Sequence, residues 1–348
     1  MAQLVLLRGA RQLLTLRGSA EPRRGPALLD LGVIRDGAVL IREGRIDAVG
    51  PTRRIENLAA ARHAREINAM GHIVVPGLVD SETQLPIGAP SLATSRLEVV
   101  TRTAAARMLR HGATTIAACP SAGSDPGTRK MLRVLRKVEE GPWDLVPITP
   151  GAAAGALARI RRRKLARLVE GDRQALQAAR ALGFGLKVRA DVSLAIEMEA
   201  LCIAGLTSPA AAAALAQSAV VATLTPLDGA LARPLIDHGA AIALATGFGM
   251  SGAPTCSLQA IVSLACKEWG LTPEEAISAV TINAAHAVGL AARLGSIEPG
   301  KQADLLLLNC TDYREIPYHF GVNHVHLAMK LGMVVYREGS AGSWPKAS

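Results

Sequence analysis

Aromatic side chains are scarce: Phe, Trp and Tyr together make up 3% of the 348 residues. Against a hydrophobic content of 49%, this means a core filled by Ala, Leu, Val and Ile, and it leaves few rings on which nucleic-acid bases could stack. Five cysteines (Cys119, Cys202, Cys256, Cys266 and Cys310) are scattered without CxxC spacing. That argues against a disulfide framework or a zinc–thiolate site and points to a reducing cytoplasm. No apolar run approaches the ~18–20 residues that span a bilayer, so no membrane partner is expected. The opening MAQLVLLRGARQLLTLRG interrupts its apolar run with arginine and lacks a small-residue cleavage site, so it reads as part of the fold rather than a signal peptide. No Gly-x-Gly-x-x-Gly follows an early strand, and no low-complexity linker or internal repeat occurs.

The net charge is +10, and its richest cluster is Arg159 with Arg161-Arg162-Arg163-Lys164. The other basic residues read as dispersed and no nucleic-acid reader motif is present. The expectation is a solvated helix or loop face, with no specific nucleic-acid partner and at most weak polyanion binding.

What is present is a strand–helix alternation. Between about residues 72 and 290, short apolar runs at 73–79, 113–118, 145–149, 165–169, 185–188, 202–206, 220–224 and 241–245 are separated by helical stretches such as 128–139 and 173–182. Thr272-Pro273-Glu274-Glu275 reads as a helix start, with Thr272 at the N-cap and proline at the first helical position. Eight β-then-α units imply an α/β fold of the (β/α)8 type, with a doubly wound open sheet as the runner-up. The two ends read differently. Residues 37–50 alternate around a Glu43-Gly44 turn, and residues 325–336 around Leu331-Gly332. This predicts a small β-sandwich built from residues 1–70 and 295–340, enclosing a barrel over 71–294.

Several strings carry a family resemblance. Ile73–Gln84 (IVVPGLVDSETQ) and Gly295–Asp304 (GSIEPGKQAD) resemble the first barrel strand and the C-terminal signature of the amidohydrolase superfamily, and Ser263–Cys266, Leu271–Ala276, Thr281–Ala285 and above all Tyr318-His319-Phe320-Gly321-Val322-Asn323 resemble its imidazolonepropionase branch. Gly183–Val188 is similar to the lead-in and fifth barrel strand of that branch. The likeness covers nearly the whole chain and is poorest over 85–170, where this chain is also shorter. It implies a metal-dependent barrel hydrolase acting on a cyclic amide C–N bond. One zinc or iron would be held by His-x-His on strand 1, His on strand 5 and Asp on strand 8, with a further His on strand 6.

The corresponding positions here are different residues. Strand 1 has Glu82 and Gln84, strand 5 has Arg189 followed by Asp191, the strand 6 region Ala204–Pro209 has no histidine, and strand 8 reads Thr246-Gly247. Arginine is permanently protonated and offers no lone pair to a metal. The substrate-side stretch after strand 2 has become Cys119–Ser124. The expectation is therefore a catalytically silent homologue with no metal, in which Arg189 pairs with Glu82 and fills the former metal space. Glu82, Gln84, Arg189 and Gly247 would line the remaining pocket, with Asp191 and Thr246 as possible ligand contacts. Two alternatives stay open: a hydrolase working with an altered or metal-free site, and a pocket binding a small anionic ligand without chemistry. The resemblance also suggests a homodimer. His324-Val325-His326 has ligand spacing but falls in the C-terminal hairpin, where a structural role is expected.

Overall fold

The computed structural model describes residues 3–18, 20–88, 91–120, 125–253 and 255–339; Ser121–Ser124 of the stretch after strand 2 lie outside them. Five strands come first: β1 (Leu4–Leu14), β2 (Val33–Arg42), β3 (Arg45–Pro51), β4 (Arg65–Asn68) and β5 (Ile73–Pro76). The next eight are all parallel: β6 (Leu78–Thr83), β7 (Ala113–Ala118), β8 (Asp144–Pro150), β9 (Leu168–Glu170), β10 (Gly185–Arg189), β11 (Cys202–Ala204), β12 (Val221–Leu224) and β13 (Ile242–Leu244), each paired with the next. β14 (Leu305–Leu308), β15 (Val325–Lys330) and β16 (Met333–Arg337) return to the first group.

The eight parallel strands form the expected barrel. Its closing seam, between β6 and the segment after β13, is bridged by Gly247 N–H to Glu82 C=O at 3.0 Å and Gln84 N–H to Phe248 C=O at 2.8 Å. Below them the Asp80 carboxylate accepts from Thr246 N–H at 3.1 Å and from the Thr246 hydroxyl at 2.5 Å. Val79, Ala117, Val146, Leu168, Cys202, Val221 and Ala243 fill the interior together with Ala284 and Ala285 of helix Ile282–Ala287 and Leu294 beyond it. Small side chains dominate there because eight strands leave little axial space. Outward-facing Leu186, Val188, Ile203, Leu224 and Leu244 join the larger layer under the helices.

β16-β15-β14-β5-β1-β2-β3 form the terminal sheet, with β4 beside the first half of β1. β1 is irregular between Leu7 and Ala10, where Gly9 has φ +76°, and its two halves pair with different neighbours. The sheet wraps a second core of Val5, Leu13, Val39, Ile41, Val74, Leu305 and Leu327. Both expected hairpin turns have paired positive φ values, at Glu43-Gly44 (48°, 76°) and Leu331-Gly332 (48°, 72°), as the twist of two-residue hairpins demands. Ala303 links the two tips: its N–H donates to Gly44 C=O and its C=O accepts from Gly332 N–H, each at 2.9 Å.

One expectation is corrected. The run 73–79 is not a single strand and the joint does not fall at residue 70. Ile73–Pro76 still belongs to the terminal sheet, pairing with β14 and β1, and the chain crosses into the barrel at Gly77. A Cβ on Gly77 would lie 2.1 Å from Thr114 Oγ1, so the crossing needs glycine. The fourth and sixth barrel strands shrink to three residues each. The Thr272 cap forms as expected, with a reciprocal bond from Thr272 N–H to Glu275. Among the described residues, no helix is long and apolar enough to cross a membrane.

Candidate functional site

Side chains alternate along a strand, so the apolar Leu186 and Val188 of β10 face the helices while Lys187 and Arg189 face the barrel axis. On β6 the ladder slips between Asp80 and Thr83, and this irregularity turns Glu82 towards the axis. Glu170 ends β9, next to β10. The result is a square of alternating charges. Lys187 Nζ donates to Glu82 Oε2 and lies 3.0 Å from Glu170 Oε2. Arg189 Nη2 donates to Glu82 Oε1 at 2.7 Å, while its Nε and Nη2 donate to Glu170 at 2.9 and 3.1 Å. Two cations and two anions thus satisfy one another at the end of the barrel where its strands terminate.

Burial gives these contacts their weight. The Lys187 side chain is wholly buried and that of Glu82 is 3% exposed, whereas Arg189 retains 40% exposure and forms the lid of the group. Burial works against charge on Lys187, but the carboxylates of Glu82 and Glu170 outweigh it and push its pKa up. Burial would likewise raise Glu170, yet the Lys187 charge and the Arg189 hydrogen bonds bring it down to about 2. Arg189, opposed by burial but held by both carboxylates, is also raised. Asp80 lies deeper and has no exposed surface. Its pKa rises to about 7 because burial dominates the hydrogen bonds from Thr246.

A cleft of about 550 Å³ opens above the square, with Glu82, Gln84, Cys119, Pro150, Glu170 and Arg189 on its walls. Glu82, Gln84 and Arg189 line this cleft together, and Arg189 pairs with Glu82. The other expected contacts do not reach the cleft. Gly247 is spent on the seam, where its φ of +62° turns the N–H onto Glu82 C=O. Thr246 is fully buried, with its hydroxyl donating to Asp80 and accepting from Phe248 N–H. Asp191 is the exposed N-cap of helix Val192–Glu197, accepting from Leu194 N–H at 2.9 Å. Lys187, Glu170 and Asp80 were not singled out from the sequence. A lysine of the same strand parity as Arg189 inside an otherwise apolar strand was the available signal for the first.

The donor set can be tested against a divalent ion. The oxygens of Glu82 and Glu170 are each taken by an ammonium or guanidinium, groups without a free lone pair. These residues do not fit a zinc or iron site, which needs at least three converging donors. Among the described residues, no three His, Cys, Asp or Glu side chains converge in that way. His326 sits in the terminal sheet and His324 just before its strand β15: His326 stacks on His72 at 4.4 Å, and His324 N–H donates to Gln259 at 2.9 Å.

Comparison with known proteins places this geometry in a lineage. Residues 228–335 match the amidohydrolase family. Imidazolonepropionase of Geobacillus kaustophilus (strain HTA426) is 33% identical over 417 aligned positions, covering 96% of this chain and 98% of that protein. The enzyme of the same name from Alkaliphilus metalliredigens (strain QYMF) is 31% identical over 415 positions, with the same coverage. These alignments are longer than the 348 residues of the chain, so the relatives carry segments that this chain lacks. Among solved structures, an amidohydrolase from an environmental sample of the Sargasso Sea superposes with a TM-score of 0.73 at 19% identity, covering 97% of this chain and 94% of that one. A triazine hydrolase variant gives 0.73 at 14% identity, with 96% and 95% covered. These two likenesses speak for the barrel and its flanking sheet. The full-length similarity in sequence goes further: the chain belongs to the imidazolonepropionase-like proteins of the amidohydrolase superfamily.

Proposed function

We propose that this protein is a catalytically silent imidazolonepropionase homologue, whose barrel mouth is held by an ion-pair square in place of a metal centre. The observation that carries the reading is the position of Lys187 and Arg189 between Glu82 and Glu170. Hydrolysis by the family's chemistry depends on a metal-activated water, and two fixed cations stand among the carboxylates that could have bound the ion. A metal-free hydrolase is disfavoured by the same contacts. Glu82 would be its general base, but it is 2% exposed and both its oxygens are engaged by cations. The protein is proposed to work in the cytoplasm, where its five free cysteines stay reduced.

Metal analysis and an activity assay on one preparation test this. Purified protein supplied with zinc or iron should retain well below one equivalent and should not hydrolyse imidazolone propionate above the buffer rate. Stoichiometric metal, or turnover abolished by Glu82→Gln, would overturn the reading. A second reading, a small anionic ligand held in the cleft, draws on the exposed part of Arg189 at its wall. A thermal-shift screen with small carboxylic acids addresses it, because a ligand bound only to the folded state raises the melting temperature.

A further inference from the structure

The positive charge is not dispersed as the linear sequence suggested. Residues 94–184 contain seventeen Lys and Arg against seven Asp and Glu, which equals the entire net charge of +10. Residues 191–294 contain three against eight. The first segment supplies helices Thr94–Arg110, Asp125–Val138, Ala154–Arg162 and Arg173–Ala181, which pack beside β7 to β10. One side of the barrel is therefore basic.

The cations of these helices are contiguous. Arg102, Arg107 and Arg110 line one shallow groove of about 570 Å³ along the first helix. Arg102 Nη2 donates to Lys137 C=O at 3.1 Å, joining it to the second helix. Arg136 Nη1 donates to Lys164 C=O at 3.4 Å, reaching the end of the third. The Arg161 guanidinium lies 5.3 Å from the centre of the Phe184 ring, just beyond the fourth. The belt runs past the C-terminal turns, where all four helices carry basic residues.

Helix dipoles alone do not account for it. They favour a cation at every helix C-terminus, yet helices Val192–Glu197, Ala212–Ala216 and Ala232–Asp237 have none in the last turn. A second copy of the chain is a poor partner, because half of the eight acidic side chains of the other side are already in ion pairs. Glu197 pairs with Arg173, Glu199 with Arg180, and Asp237 and Glu275 with Arg233. An apolar docking face is lacking too: Val99 is the exposed large hydrophobic among the described residues of these helices, while Trp143 and Phe184 are buried. Protein interfaces and membrane-surface helices need such a face, whereas a phosphate backbone needs only cations.

We propose that this belt docks the phosphate backbone of a nucleic acid without reading its sequence. Fluorescence anisotropy with a labelled random-sequence duplex of DNA and the full-length protein tests it. The logarithm of the binding constant should fall linearly with the logarithm of salt concentration. Each phosphate contact adds about 0.9 to that slope. Arg107, Arg133 and Arg162 are exposed, and among the described residues none has an ion-pair partner. The triple variant R107E/R133E/R162E should bind roughly tenfold or more weakly, with a slope shallower by about 3, at an unchanged melting temperature. The control R35E/R53E/R62E makes the same charge change on exposed arginines of the N-terminal region and should bind like the parent. Equal weakening by the control, equal competition by polyglutamate at matched charge, or preference for phosphatidylserine vesicles over the duplex would overturn the proposal. So would a parent slope flatter than about 3, a measurement that needs no variant.

Discussion

Replacing Lys187 by methionine removes the buried ammonium and leaves two carboxylates, 3% and 17% exposed, to share Arg189. Taking one partner from a buried ion pair costs about 3–5 kcal/mol. Arg189 still contacts both acids, so the lower end, about 3 kcal/mol, is expected. The acid side of the square leads to a similar figure. Glu170 falls from 4.5 to about 2, and at 1.36 kcal/mol per pH unit this corresponds to roughly 3 kcal/mol at neutral pH. Since the folded-state value lies below the unfolded one, that contribution is complete above about pH 4.5 and is lost as pH falls towards 2. Urea unfolding followed through the buried Trp143 and Trp269 at pH 7, 5 and 3 measures both effects. Lys187→Met should lower stability at pH 7 by about 3 kcal/mol and then lose less further stability between pH 5 and 3 than the parent, because without the ammonium Glu170 titrates closer to its unfolded value. Adding Glu82→Leu should recover part of the loss, because the Glu170–Arg189 pair then stands alone with no unpaired carboxylate beside it. If Lys187→Met unfolds within about 0.5 kcal/mol of the parent at all three pH values, the square does not hold the barrel mouth.

Two other positions give sharp expectations. Asp80 titrates near 7 in the fold, above its unfolded value, so its contribution is greatest below about pH 4 and declines as pH rises to 7. Asp80→Asn keeps the shape without the charge and should flatten stability between pH 4 and 7, seen as a melting temperature that gains on the parent at pH 8. A parent and variant with parallel pH profiles would remove Asp80 from that role. Gly77→Ala puts a methyl group 2.1 Å from Thr114 Oγ1 and should cost about 1–3 kcal/mol in urea unfolding. Thr114→Ala should restore part of it, and an unaffected single variant would show that the crossing can shift.

The linear sequence determined the architecture because each of its signals is local. Repeated apolar runs with helices between them specify parallel strands, Thr272-Pro273-Glu274-Glu275 writes a helix start into four residues, and Glu43-Gly44 and Leu331-Gly332 mark hairpin tips. It also determined that Arg189 at the end of its strand offers no lone pair to a metal, since a guanidinium cannot ligate one wherever it is placed. Pairing of Glu82 with Arg189 was legible because both stood at positions with a known geometric relation. Tertiary structure alone decided the rest. Glu170 and Lys187 lie 17 residues apart in the chain and meet only because β9 and β10 are hydrogen-bonded neighbours. Asp80 meets Thr246 across 166 residues because the barrel closes there. Asp191 is held by a helix cap and Thr246 by the seam, hydrogen bonds that compete with any ligand. The basic residues that look scattered in sequence gather on one side because consecutive βα units pack side by side. Residue type limits which chemistry is possible, and the closure of the sheet into a barrel selects which of those residues meet.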